Sequence, residues 1–206
     1  MFEYPVHMCT DKTNIKQRRF AQIATLEDTL FHSGDLANLW DIQKPDTLHT
    51  TLSRYVKQGL LHRVYKGFYS IKAIDSIHPW LIGLKAIHEH AYISTETILY
   101  AAGVINQKPS CVTLVSGKSM RFRIGAVMYY SRRMTDAFLY NPAGIEVKEG
   151  IRRASIERAV ADLLYYNPRV YIDNPALYDQ DKLVELQGDI GFTASQHRGS
   201  HLDTPG

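Results

Sequence analysis

The stretch from Asp46 to Ile71 changes its period once, and that change constrains the fold more than any other feature of the chain. Leu48, Leu52, Tyr55 and Val56 stand at i, i+4, i+7 and i+8, which predicts a helix from about Asp46 to Gln58. Gly59 suits the left-handed position just past its end. Leu60 to Ile71 (LLHRVYKGFYSI) follows at once, rich in β-formers and broken at Lys66-Gly67, where glycine permits the positive φ of a tight hairpin turn. Upstream, Phe20, Ile23, Ala24, Leu26, Leu30 and Phe31 lie near helical spacing and predict a first helix over Lys16 to Phe31. Ser33 then serves as the N-cap of a short helix through Asp35, Leu36, Leu39 and Trp40, and the polar stretch Asp41 to Pro45 forces a turn. Helix, helix, turn, helix and two-stranded ribbon is the order of a winged helix-turn-helix, so residues 16–75 are expected to form one, behind an N-terminal tail of residues 1–15.

The chain's 206 residues are too many for one minimal domain and comfortable for two, and the 45% hydrophobic content means that most of them should fold. After a linker over Asp75 to Pro79, helices are expected at Trp80 to His90, at a segment capped by Ser94 and running through Thr97, Ile98, Tyr100 and Ala101, and at Ser155 to Tyr166. Strands are expected at Cys111 to Val115, Met120 to Ile124, Val127 to Ser131 and Ile145 to Lys148. Helices and strands mix without a βαβ rhythm, so the class is α+β, with the second domain spanning 78–172. A C-terminal segment over 173–206 holds a short helix near Asp181 to Leu186 and ends in a polar stretch from Thr193 expected to be disordered.

No apolar run approaches the roughly 18 residues of a membrane helix, and Met1 to Lys12 has neither the basic nor the apolar region of an export signal. Two cysteines, Cys9 and Cys111, are few for a disulfide scaffold. A cytoplasmic protein with reduced thiols and no membrane partner is expected. The net charge of +3 is unevenly spread: Lys12 to Arg133 carries 17 basic and 8 acidic residues, whereas the rest of the chain is acidic. Polyanion binding depends on local charge, so the surface for it is sought in the first two thirds.

On the third helix, a step of 100° per residue places Asp46, Thr47, Thr50, Ser53, Arg54 and Lys57 away from the apolar stripe. Short hydroxyl side chains let such a helix approach DNA closely, arginine bonds guanine bidentately, and lysine supplies point charge to phosphates. Arg63 and Lys66 on the ribbon, with Arg18 and Arg19 on the first helix, are the expected phosphate contacts. The same residues on a solvated helix face would need no ligand; the order of the elements is what favours DNA. A second basic cluster, Lys118, Arg121, Arg123, Arg132 and Arg133, falls on the later hairpin, either as a patch for a polyanion or as a solubilising sheet face.

Signals for catalysis are few. His7-x-Cys9 and His88-x-His90 each offer two ligands, but neither has a partner pair at a zinc spacing. No P-loop, GxGxxG or GxSxG is present. Glu146-Val147-Lys148 on a strand, with Asp136 upstream, resembles the acidic and lysine set of metal-dependent restriction-type nucleases, a short match that arises readily by chance. No enzyme activity and no cofactor are expected; the nuclease is a lesser alternative, as is a winged module that binds protein.

Val56-Lys57-Gln58-Gly59-Leu60-Leu61-His62-Arg63-Val64-Tyr65-Lys66-Gly67-Phe68-Tyr69 resembles a passage of the AbiEi-like antitoxins of type IV toxin–antitoxin systems. Tyr92 to Tyr100 with Gly103 is similar to that family's Y-I-S-x-E segment, and Ala154 to Leu164 to its A-S-x-E-[KR]-A-x-x-D-x-L helix, although Ile156 stands where proline is common. The resemblance implies a transcriptional regulator of an abortive-infection system whose winged domain binds double-stranded DNA at promoter repeats and represses its own operon. It also implies a neighbouring nucleotidyltransferase-like toxin, opposed with or without a stable complex, and leaves self-association open. A basic stretch between the motifs is frequent in that family, and the Glu146 strand falls where no catalytic role is expected.

Overall fold

A computed structural model describes residues 11–26 and 28–192. The chain divides between His78 and Pro79 into two compact units, each with its own sheet, and its class is α+β.

In the first unit the order is α1 (Asp11–Ala24), β1 (Leu30–His32), α2 (Ser33–Leu39), α3 (Pro45–Lys57), β2 (His62–Tyr65) and β3 (Phe68–Ser70). Helix α3 starts where Pro45, lacking an N–H, occupies the first turn, and ends before Gly59 at φ +69°. Its stripe of Leu48, Leu52 and Tyr55 is buried against Ile23, Leu36, Trp40, Ile42 and Leu61, each large apolar side chain contributing roughly 1.5–3 kcal/mol by leaving water. Two polar tips tie α1 down: Trp40 Nε1 donates to the Arg19 carbonyl at 3.2 Å and the Tyr55 hydroxyl to that of Lys16 at 3.2 Å. The three strands are antiparallel in the order β1-β3-β2, with Gly67 at φ +72° in the β2–β3 turn.

Two expectations for this unit are corrected. The first helix begins at Asp11, inside the expected tail, and stops at Ala24, and Leu30 and Phe31 belong to β1, paired with Ser70 and Tyr69 of β3. Their helical spacing was incidental, since β3 supplies the backbone partners that decide their conformation; Leu26, assigned to the same apolar stripe, is exposed. Ser33 is the first residue of α2 rather than its cap. His32 takes the cap position, its N–H donating to the Asp35 carboxylate, while the Ser33 N–H donates to the Gly67 carbonyl at 2.8 Å.

The second unit runs α4 (Pro79–Ile87), β4 (Ala91–Ile93), α5 (Glu96–Ala101), β5 (Val112–Ser116), β6 (Met120–Ile124), β7 (Val127–Arg133), α6 (Asp136–Leu139), β8 (Ile145–Lys148), β9 (Ile151–Ala154), α7 (Ile156–Tyr166) and α8 (Gln180–Ile190). Its mixed six-stranded sheet has the order β6-β7-β5-β4-β9-β8. Strands β4 and β9 pair in parallel through Ile93 and Arg153, with β4 in the middle of the sheet, yet neither was anticipated, because Ala91-Tyr92-Ile93 is buried throughout and Ile151-Arg152-Arg153-Ala154 has its apolar residues at the two ends, so neither shows alternation. Ser94 does not cap α5. Thr95 holds the position ahead of the helix at φ +51° without a side-chain cap bond, and the Ser94 hydroxyl donates to Asp162 at 2.6 Å. Helix α8 is longer than expected, capped by the Asp179 carboxylate and closed by Gly191 at φ +88°, and packs on α7 through Leu183, Leu186 and Ile190. The expected disorder from Thr193 onward, like the His7-x-Cys9 pair, lies outside the described residues.

Candidate nucleic-acid interface

Helix α3 turns its polar residues outward, as a step of 100° demands once Leu48, Leu52 and Tyr55 are buried: Asp46, Thr47, Thr50, Ser53, Arg54 and Lys57 are all exposed. Across from one flank of the helix stands the β2–β3 hairpin, and between them lies a groove of about 750 Å³. Ser53, Lys57, Arg63 and Lys66 line it together with Ser33, His49 and Tyr69, over a floor of Leu52 and Val56. No carboxylate contributes to the lining. Two lysines and an arginine around one low-dielectric concavity focus a positive potential that attracts phosphate.

The hairpin that forms the far wall is held in place. Beside the bond from the Ser33 N–H to Gly67, the His32 ring stacks on Phe68 at 4.6 Å, and a Cβ on Gly67 would stand 3.3 Å from the Ser33 hydroxyl. A positive φ and this close approach together require glycine at the turn.

The expected site residues therefore separate into groups. Ser53, Lys57, Arg63 and Lys66 meet in the groove; Thr47, Thr50 and Arg54 form an exposed ridge beside it. Arg18 is exposed on α1, whereas Arg19 is half-buried with its guanidinium 5.9 Å from the Trp40 ring centre, a packing position as much as a charged one. Sequence reasoning passed over His49, Ser33 and Tyr69. His49 sits at the border of the polar face, Ser33 was assigned to a cap, and only the return of the hairpin across α3 brings the three to one groove.

The second basic cluster does not form one patch. Pairing of Arg121 with Tyr130 and Arg123 with Met128 puts those arginines on the sheet face that also carries Arg132, while alternation along β7 sends Arg133 to the opposite face. Lys118, in the turn after β5, bonds Glu89 at 3.0 Å, and Arg132 pairs with Glu96. Glu146 and Lys148 lie exposed on the edge strand β8, with Glu146 held by Arg153 at 2.6 Å; Asp136 begins α6. No group of three or more His, Cys, Asp and Glu that could hold a metal occurs among the described residues. His90, of the His88-x-His90 pair, contacts Arg152 at 3.2 Å, and burial and that guanidinium lower its pKa. No helix among the described residues is long and apolar enough to cross a membrane.

Beneath the six-stranded sheet's α7 face is a network that the chain order does not suggest. Arg158 is fully buried and uses all five of its N–H groups: Nε to Asp162, Nη1 to the carbonyls of Asn141 and Ala143, and Nη2 to the Tyr92 hydroxyl and the Phe138 carbonyl. Asp162, also fully buried, accepts from Ser94 as well. Burial works against the Arg158 charge, but Asp162 and the bonds around it hold its pKa up; burial also drives the Tyr92 hydroxyl well above its ordinary range. The residues that carry the antitoxin-like motifs, Tyr92, Ser94, Arg158 and Asp162, are thus in mutual contact inside the core.

Comparison with solved structures finds similarity to the crystal structure of the RV2827C protein from Mycobacterium tuberculosis, with a TM-score of 0.51 and 11% identity over 85% of this chain and 71% of that one. At that identity the likeness concerns the fold alone. No family model and no curated protein matches the chain.

Proposed function

We propose that the chain is a DNA-binding transcriptional regulator whose first unit is a winged helix-turn-helix, with α3 as the recognition helix and the β2–β3 hairpin as the wing. The observation that carries this reading is the groove between them, basic and free of carboxylates, flanked by a ridge of exposed hydroxyls and Arg54. A helix laid in the major groove would present Thr47, Thr50 and Arg54 to base edges, while Lys57, Arg63 and Lys66, with Arg18, meet the phosphates on either side. Arg19 takes a smaller share, its side chain being engaged with Trp40.

The biological role follows from the resemblance rather than from geometry: an AbiEi-like antitoxin that represses its own operon and opposes a nucleotidyltransferase-like toxin. Contact of Tyr92 and Ser94 with Arg158 and Asp162 supports this modestly, because it joins in space two motifs that lie far apart in the chain. The reading is non-enzymatic, and the protein works where its DNA is, in the cytoplasm.

Mobility shifts on the chain's own promoter fragment and on a scrambled duplex test the DNA reading. Saturable binding with preference for the promoter is expected, and it should be lost in the triple variant Lys57→Ala, Arg63→Ala, Lys66→Ala. Equal, weak binding to both duplexes by a folded wild type would instead favour a winged module that binds protein.

A further inference from the structure

A pocket of about 340 Å³ opens at the β6–β7 end of the six-stranded sheet, at the lower end of the range that accommodates small molecules. Ile105 and the segment 107–111 line it together with Arg121, Tyr130, Arg132 and Glu96. Its charged lining is Lys108, Arg121 and Arg132 against the single carboxylate of Glu96, a surplus of two positive charges.

The arginines are positioned by an aromatic ring rather than left to swing in water. Arg121 lies over Tyr130 at 4.4 Å and Arg132 at 5.6 Å from the same ring centre, with Tyr166 a further 5.2 Å from Arg132. The pairing of Arg132 with Glu96 is incomplete: Nη2 reaches Oε1, while Arg132 Nε and Glu96 Oε2 are buried without a hydrogen-bond partner. Neither atom is open to solvent, so the open positive charge of the lining is that of Arg121 and Lys108.

We propose that this pocket binds a small phosphate monoester. Its dianionic phosphate matches the charge surplus and accepts from Arg121 and Lys108. The proposal does not rest on the DNA-binding reading, since promoter binding by the first unit is measured separately.

Calorimetric titration of the full chain with AMP and with inorganic phosphate tests it. One-to-one saturable binding is expected for both. Arg121→Ala, a change at an exposed side chain whose fold is checked by circular dichroism, should weaken both by about tenfold or more, and Lys108→Ala should weaken them in the same direction. Lys148→Ala on the distant strand β8 should leave both unchanged. No saturable heat with either probe, or AMP binding that Arg121→Ala leaves intact, overturns the proposal. So does a protein indifferent to AMP whose duplex affinity falls in Arg121→Ala, which would make the face a phosphate-backbone contact.

Discussion

Arg158 and the pair Arg54 and Arg63 occupy opposite environments. Arg158 is fully buried and every one of its donors is taken by groups of its own unit. Arg54 and Arg63 are exposed and form no ion pair among the described residues. A guanidinium whose donors are all satisfied internally holds a fold together; one whose donors face water is available to a ligand. The comparison also separates what the antitoxin-like motifs report from what the groove reports. Three of the motif residues in the second unit, Ser94, Arg158 and Asp162, are spent on architecture, whereas the residues proposed to meet DNA lie on a surface that the fold does not need.

The largest expected effect comes from breaking the buried pair. Asp162→Ala leaves the Arg158 charge without its counterion in the core and should cost about 3–5 kcal/mol of stability, read from urea unfolding monitored by circular dichroism. Arg54→Ala in the same assay should stay within about 0.5 kcal/mol of wild type, as an exposed substitution without partners does. Equal stability losses in the two variants would erase the distinction between them.

A smaller effect sharpens the other side. If α3 reads bases, Arg54→Ala should cost about 1–3 kcal/mol in affinity at the cognate site and much less on scrambled duplex, with Thr50→Ala costing less than Arg54→Ala at the cognate site. A folded Arg54→Ala protein that binds the promoter like wild type would remove α3 from the role of recognition helix.

Smallest of all is the change expected at the hairpin. Lys66→Ala should weaken specific and scrambled duplexes alike and lower the slope of log affinity against log salt by about 0.9, the contribution of one phosphate contact. Loss confined to the promoter would mean that the hairpin reads sequence, and would move specificity from α3 to β2 and β3.

Legibility in the sequence followed the length of each periodic signal. Helix α3 and the β2–β3 ribbon were evident because four apolar positions and a glycine turn agree; β6, β7 and α7 were evident for the same reason. Leu30 and Phe31 misled, since two apolar residues fit a helical or a strand period equally and only the partner strand decides. Ser94 misled through chemistry that is correct locally, because a serine ahead of a helix normally caps it, yet here a buried carboxylate 68 residues away in sequence claims the hydroxyl.

The sequence by itself determined the α+β class, the exposed polar face of α3 and the glycine turn at Gly67, because those depend on periodicity and on backbone freedom within a few residues. Only the tertiary structure decided that Ser33, His49 and Tyr69 join Lys57 and Arg63 in one groove, that Arg133 parts from Arg121, and that Arg158 is spent inside the core. Those facts depend on which strand pairs with which and in what register, and a one-residue shift of register would reverse every face.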